Sequence, residues 1–526
     1  MAYDIIITSG TILDGTGHEP VVADIGITDG KIATIGKLAG SSAPIQINAS
    51  DMLVTPGFID VTNHSDTHLT LFKYPGFDSY VSQGVSTVLG GNCGASLAPL
   101  ASHEALGAIR KWADPSDINL DWATFEEFLQ HIQNLHLAVN FGSSVGYGTL
   151  RRGVINDEIR QLTYEEREQV RYLLVESMKQ GSFGLSLGLS YGHERISTTE
   201  EIIDIAKVLG DTGAVLKMHL RSEGVGLLAS VNEAIRIARE TNVSIQISHF
   251  KSIGRKSWSS FATALELIAH ANESGADVNF DVSPYPTTGS LLYTLLPSWA
   301  RAGGLDTLFK NIDDPITRQK IIEELKTYTL HYDRVLVTSA KIKSIIGRTI
   351  AELAEQSGVS PEETLINTVR ANEGRASMIG RTISPKNMAT AILDSRALIA
   401  SDGEASSLDE RLSGNLGHPR SFGAFPHFWH RFVTDSQKLK PEVAIQKITS
   451  GPAMKFGIEK RGVLKVGNHA DIVIFNPKNF RDCATYRNPF CQSTGITTVI
   501  INGKIAMKEG VLTGERAGQV LKKIGS

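Results

Sequence analysis

Hydrophobic and polar positions alternate at both ends of the chain and follow a different rhythm between them. Residues 23–35, ADIGITDGKIATI, alternate about Asp29-Gly30. That dipeptide suits a two-residue type I′ hairpin, whose central positions both need positive φ. ADIVIF (470–475) and TTVIINGKIAMKEG (497–510) repeat the pattern, with Asn502-Gly503 at the turn. Each end alone has too few strands to bury a face. The pattern therefore predicts one small β-sandwich assembled from residues 1–55 and 456–526.

The middle reads as short apolar strands separated by amphipathic helices. AVLKMHL (214–220), SIQISHF (244–250) and DVNFDVSPY (277–285) are strands, and helical stretches run through SVNEAIRIARETN (230–242) and SSFATALELIAHANESGA (259–276). Such alternation implies βαβ units and a parallel sheet. LVTPGFIDV (53–61), GVSTVLGG (84–91), LAVNFGSSVG (137–146), FGLSLGLS (183–190) and RALIASDG (396–403) raise the strand count to eight. Eight is the count of a TIM-like (β/α)8 barrel, assigned here to residues 56–455, with its chemistry at the C-terminal strand ends. A doubly wound sheet is disfavoured, because no Gly-rich phosphate loop opens a helix after the first strand. More than a hundred residues separate Tyr285 from the last strand. They hold helical stretches at 305–312, 317–328 and 362–374, so residues 290–390 are expected to be a lid insertion over the barrel mouth.

Composition narrows the function classes. Of 526 residues, 41% are hydrophobic and 21% charged, the balance of a soluble globular protein. A net charge of −4 and the lack of a basic patch argue against nucleic acid or anionic membrane as a partner. The opening MAYDIIITSG has no signal-peptide character, and no apolar run approaches a membrane span. Three cysteines, Cys93, Cys483 and Cys491, make no disulfide framework and point to a reducing cytoplasm. Cys483 and Cys491 are expected to be small buried hydrophobes.

Candidate chemistry sits where the strands end. The first ends at His64, the second at Cys93, the fifth at His219, the sixth at His249 and the eighth at Asp402. A single strand-end histidine is more often a structural group than a ligand. The set carries more weight, because two imidazoles and a thiolate are donors that Zn²⁺ prefers, and three protein ligands leave a position open for water. A zinc-activated water needs a proton acceptor, and Asp402 can serve. The competing role for Asp402 is a turn or helix-cap aspartate before Gly403.

The motifs around these residues resemble N-acyl-D-amino-acid deacylases of the amidohydrolase superfamily. VTPGFID (54–60), SQGVSTVLGGNCGASLAPL (82–100), HLRSEG (219–224), SHFK (248–251), SPYP (283–286), ASDG (400–403) and GHPRSFGAFP (417–426) carry the likeness, which continues to TGERAGQVL (513–521). The resemblance implies one tightly held zinc on Cys93, His219 and His249, with Asp402 as the catalytic aspartate. It also implies that Lys251, Tyr285 and Arg420 hold the substrate carboxylate, as suits an ammonium, a phenol and a guanidinium. The implied partner is a small N-acylated amino acid, hydrolysed at its linear amide.

The chain departs from that family in one place that matters. Where the family has His-x-His after the first strand, this chain reads Thr62-Asn63-His64. A threonine oxygen is a poor replacement for imidazole on zinc. The pair serves a second, looser metal position in the family, so its loss predicts one ion and frees His64 to hydrogen-bond the substrate carbonyl or the attacking water. Asp66 and His68 lie close enough in sequence to compensate in part. Tyr147, where the family commonly has histidine, is expected to reshape the pocket. Two other readings remain at this point: a hydantoinase-like cyclic amidase, and a metal-poor, non-catalytic binding protein.

Overall fold

The computed structural model describes residues 2–110, 112–328 and 330–523. Met1, Lys111, Thr329 and residues 524–526 fall within the ranges expected for the terminal domain, the barrel and the insertion, and lie outside the described residues. The architecture is mixed α/β.

The two chain ends share one nine-stranded sheet. Ile5–Ile12, Val21–Thr28, Lys31–Gly36, Ile45–Asn48 and Leu53–Pro56 join Ile472–Phe475, Ile496–Ile501, Lys504–Lys508 and Val511–Leu512. The seam is an antiparallel pair, with Ile472 opposite Pro56 and Phe475 opposite Leu53. Both expected two-residue turns are present: Thr28 pairs Lys31, and Ile501 pairs Lys504. Their four central residues have φ between 49° and 76°, the conformation Asp-Gly and Asn-Gly tolerate best. Ile5, Ile25, Ile472 and Ile500 pack in one buried cluster, so the two ends stabilise each other.

Between the ends run eight parallel strands: β1 (Phe58–Asp60), β2 (Val85–Gly90), β3 (Asn140–Ser143, resuming at Val145–Gly146), β4 (Gly184–Gly188), β5 (Val215–His219), β6 (Ser244–Ile247), β7 (Val278–Val282) and β8 (Ala397–Ile399). The first part of β3 pairs β2, which pairs β1. The second part pairs β4, and the order continues through β5, β6 and β7 to β8. Beyond β8, the chain returns to the end of β1. Asn63 bridges Gly403 in parallel, the His64 N–H donates to Gly403 O at 2.8 Å, and the Asp402 N–H donates to Thr62 O at 3.0 Å. Buried Asp60 clasps the same junction, accepting from the Ser401 N–H at 2.9 Å and from its hydroxyl. Burial pushes the Asp60 carboxyl up to about 6, although these hydrogen bonds oppose it.

Helices cover the strands through apolar stripes at helical spacing. Leu227–Thr241, between β5 and β6, buries Leu227, Val231, Ala234, Ile235 and Ala238. Each large aliphatic side chain so buried contributes about 2 kcal/mol. Cys483 and Cys491, expected to be buried, are partly exposed.

The segment inserted before β8 has its own core, with Leu308, Ile321, Val337, Ile350 and Leu365 among its buried residues. It holds helices close to the expected positions: Gly304–Asp313, Pro315–Thr327 and Pro361–Ala371. It also holds an antiparallel sheet of Thr288–Leu291, Ser377–Gly380 and Val335–Ser339 that periodicity does not reveal. Strands of four or five residues, paired across 38 to 92 positions, leave too short a pattern.

Candidate metal centre and active site

Three donors from three strand ends meet in one place. Ligand atoms of Cys93, His219 and His249 all lie within 4.8 Å of one another, with Cys93 Sγ 3.3 Å from His249 Nε2. Neighbouring strands β5 and β6 carry the two histidines, and their rings sit 4.5 Å apart, edge to face. His219 Nε2 is engaged by Ser190 Oγ at 2.8 Å, whereas its Nδ1 is buried with no hydrogen-bond partner. An orphaned imidazole nitrogen beside a thiol and a second imidazole is the donor set a zinc ion requires, and it fits. Burial alone would push the Cys93 thiol up. The facing imidazoles of His249, His219 and His64 outweigh it and hold the thiol well below its ordinary range, which favours the thiolate that binds metal.

The backbone is strained where these side chains turn inward. Cys93, His249 and Asp402 have φ of 53°, 40° and 56°, left-handed values that cost a non-glycine residue about 1 kcal/mol or more. The surroundings fix them. The His249 N–H donates to buried Asp281 at 2.7 Å, and the Asp402 N–H to Thr62 O as above. Gly91 at φ 67° lets the Cys93 loop pass the β3 bend, where any Cβ would lie 1.9 Å from Ser144 O.

Asp402 stands beside this cluster. Its Oδ1 lies 3.3 Å from His64 Nε2, and Arg420 Nη1 donates to its Oδ2. Burial would raise its pKa, but Arg420, His249 and His64 draw the carboxyl well below the ordinary range. His64 Nε2 is also 3.9 Å from Cys93 Sγ. Burial disfavours the His64 imidazolium, yet Asp402 and Cys93 together raise its pKa to about 9.

The three expected carboxylate-binding groups line the same cavity of about 640 Å³, each already engaged. Lys251 Nζ sits 2.6 Å from Glu223 Oε1 and 2.9 Å from His249 Nδ1. The Tyr285 hydroxyl donates to Asp482 at 3.3 Å. Arg420 holds Asp402 through Nη1, while its Nε is buried without a hydrogen-bond partner among the described residues.

Several neighbours escape a reading by motif. Glu223 Oε1 lies 3.1 Å from His249 Nδ1, so one carboxylate braces both a metal-ligand candidate and Lys251. Burial opposes its ionisation, but Lys251, His219 and His249 draw its pKa down. Its only sequence signal is its place four residues after His219. Lys217, in the middle of an apolar strand, is fully buried and donates to Val61 O and Asn92 Oδ1, tying the β1 and β2 loops together. Asp66 receives the Gly91 N–H at 2.6 Å, and His68 Nδ1 is 3.1 Å from His64 O; neither joins the ligand cluster. Thr62 is buried with its hydroxyl unpaired. Tyr147 does not line the cavity: it is buried against Glu201 and Arg151, so its expected effect on pocket shape has no direct contact behind it.

Comparison with known proteins places this geometry in context. The profile of the amidohydrolase family matches residues 46–507. The chain is 30% identical to a D-aminoacylase of Alcaligenes xylosoxydans xylosoxydans over 522 residues, 99% of this chain and 98% of that protein. It is 31% identical to an N-acyl-D-aspartate deacylase of the same organism, over 98% and 95% of the two chains. The crystal structure of an N-acyl-D-glutamate deacylase from Bordetella bronchiseptica, complexed with zinc and a phosphonate mimic of the tetrahedral intermediate, superposes with a TM-score of 0.84 at 28% identity, over 99% and 100% of the chains. Among the described residues, no helix is long and apolar enough to cross a membrane.

Proposed function

The chain belongs to the amidohydrolase family, in its N-acyl-D-amino-acid deacylase branch, and from that premise we propose that it hydrolyses the amide of N-acyl-D-amino acids to a carboxylic acid and a free D-amino acid. One observation carries the reading: Cys93, His219 and His249 converge within 4.8 Å, beside Asp402, in a chain similar to D-aminoacylase from end to end. We read the eight parallel strands as one closed barrel, supported by the contacts between the ends of β8 and β1. Residues 1–55 with 456–526 then form a terminal β-sandwich, and 290–390 the lid.

Cys93, His219 and His249 would hold a single zinc, since Thr62 offers no imidazole for a second. Bound there, the ion supplies a Lewis acid for the acyl carbonyl and acidifies a water. Asp402, ionised and held in place by Arg420, accepts a proton from the attacking water and delivers it to the departing nitrogen. His64 Nε2, 3.3 Å from Asp402, donates a hydrogen bond toward the carbonyl oxygen as charge builds on it. Arg420, with Lys251 and Tyr285, holds the α-carboxylate, and the insertion that walls the cavity excludes water. The ligand cluster contains a cysteine, which disfavours the cyclic-amidase reading.

The test pairs metal analysis with turnover. The purified protein should hold about one equivalent of zinc and release acetate from N-acetyl-D- but not N-acetyl-L-amino acids, and Cys93→Ala should lose most of the metal. A Cys93→Ala protein that keeps its zinc, or a zinc-loaded wild type inert toward both series, would refute the assignment.

A further inference from the structure

Four of the cations that line the cavity are matched to acids. Arg221 pairs with Glu233 at 2.8 Å, Lys251 with Glu223 at 2.6 Å, Lys73 with Glu410 at 2.9 Å, and Arg420 with Asp402. Arg301, part-buried in the cavity wall, has no carboxylate within 4.0 Å among the described residues. Two backbone carbonyls hold its guanidinium instead: Nε donates to Leu296 O and Nη1 to Ser190 O, both at 3.2 Å. Among the described residues, its remaining N–H groups have no acceptor. Among the described residues, the Arg195 side chain, also in the wall, donates only to Arg221 O and likewise lacks an acid partner. Burial first, then Arg301 and Arg221, weaken the hold of Arg195 on its proton, as expected of like charges crowded together.

The position of Arg301 is as informative as its lack of an acid. Ser190 hydrogen-bonds His219 through its hydroxyl and receives Arg301 through its carbonyl, so one residue separates a proposed zinc ligand from the guanidinium. Arg301 comes from the inserted segment and Ser190 follows β4, so the contact joins the lid to the strand ends. A part-buried guanidinium, fixed in orientation, next to a second arginine and without a counter-ion, is complementary to an anion that arrives with the ligand. The α-carboxylate already has Lys251, Tyr285 and Arg420.

We propose that Arg301, assisted by Arg195, binds a second carboxylate on the substrate's side chain, so that the preferred substrates are N-acyl derivatives of acidic D-amino acids. The inference rests on the deacylase reading and adds the side-chain class. Arg301 is here a specificity residue. It takes no part in the bond cleavage and acts through KM.

The experiment compares N-acetyl-D-glutamate with its uncharged isostere N-acetyl-D-glutamine, and N-acetyl-D-aspartate with N-acetyl-D-asparagine. Zinc-loaded wild type, Arg301→Met and Arg301→Lys are assayed in parallel. Wild type should favour the acidic member of each pair. Arg301→Met should shrink that kcat/KM ratio by about a hundredfold, through KM, as expected when one partner of a desolvated charge pair is removed. Arg301→Lys should restore part of it. An unchanged ratio in Arg301→Met, or a wild type that favours the amides, overturns the proposal and leaves the deacylase reading intact. Should wild type cleave none of the four, the deacylase reading fails, and calorimetric binding of N-acetyl-D-glutamate decides the subsite. Binding that wild type shows and Arg301→Met loses supports it; equal binding overturns it.

Discussion

Replacing Glu223 by glutamine removes a charge without changing shape, and the geometry sets the size of the response. Glu223 Oε1 lies 3.1 Å from His249 Nδ1 and 2.6 Å from Lys251 Nζ. A carboxylate on the far nitrogen of a metal-binding imidazole fixes its orientation and raises its basicity, and losing it costs about 10- to 100-fold in metal affinity. That is about 1.4–2.8 kcal/mol. A second cost is separable. Lys251 is largely buried, and Glu223→Gln leaves its ammonium without an acid, which should destabilise the metal-free fold by about 3 kcal/mol. Competition with a chromophoric chelator reads the zinc affinity, and urea unfolding of the metal-free protein reads the stability. A natively folded Glu223→Gln protein whose zinc affinity stays within twofold of wild type would show that the carboxylate does not brace His249.

Two further outcomes are expected. Asp402→Asn should keep its zinc but lose at least a thousandfold in kcat, and a variant retaining a tenth of wild-type turnover would remove Asp402 from proton transfer. Lys447 is buried against Asp394 O and Ala397 O, and burial pulls its pKa from 10.5 to about 8 against the attraction of Asp394. Between those values only the unfolded chain holds the proton, so stability should rise by about 3 kcal/mol as the pH goes from 8 to 10.5. Relative to Lys447→Met, wild type should gain that amount in urea unfolding, whereas curves that stay parallel across the window would refute it.

Much of this was legible in the chain because a local rule and the global fold agree. Asp29-Gly30 and Asn502-Gly503 name their turns because few other pairs tolerate two positive φ values in succession. Cys93, His219 and His249 stand at the ends of apolar runs, where a strand delivers side chains to a common rim. Pairing across the fold was not legible. Nothing in HLRSEG says that its glutamate reaches His249, and nothing near Arg420 says that it grips Asp402. Lys217 stands inside an apolar strand, and only the packed interior reveals that its ammonium fastens two loops. Tyr147 misled because a motif position fixes where a residue lies in the chain, not which way its ring points.

The seam between Leu53–Pro56 and Ile472–Phe475 joins segments more than 400 residues apart. At ribosomal speeds of roughly 5–20 residues per second, the early strands wait about 20–80 s for their partner to be made. Throughout synthesis the nascent chain therefore carries the unpaired edge of Leu53–Pro56 beside an isoleucine-rich face that lacks its C-terminal cover, the kind of surface on which neighbouring chains stick together. Yield in a heterologous host should accordingly depend on chaperone capacity and growth temperature more than on the stability of the finished molecule.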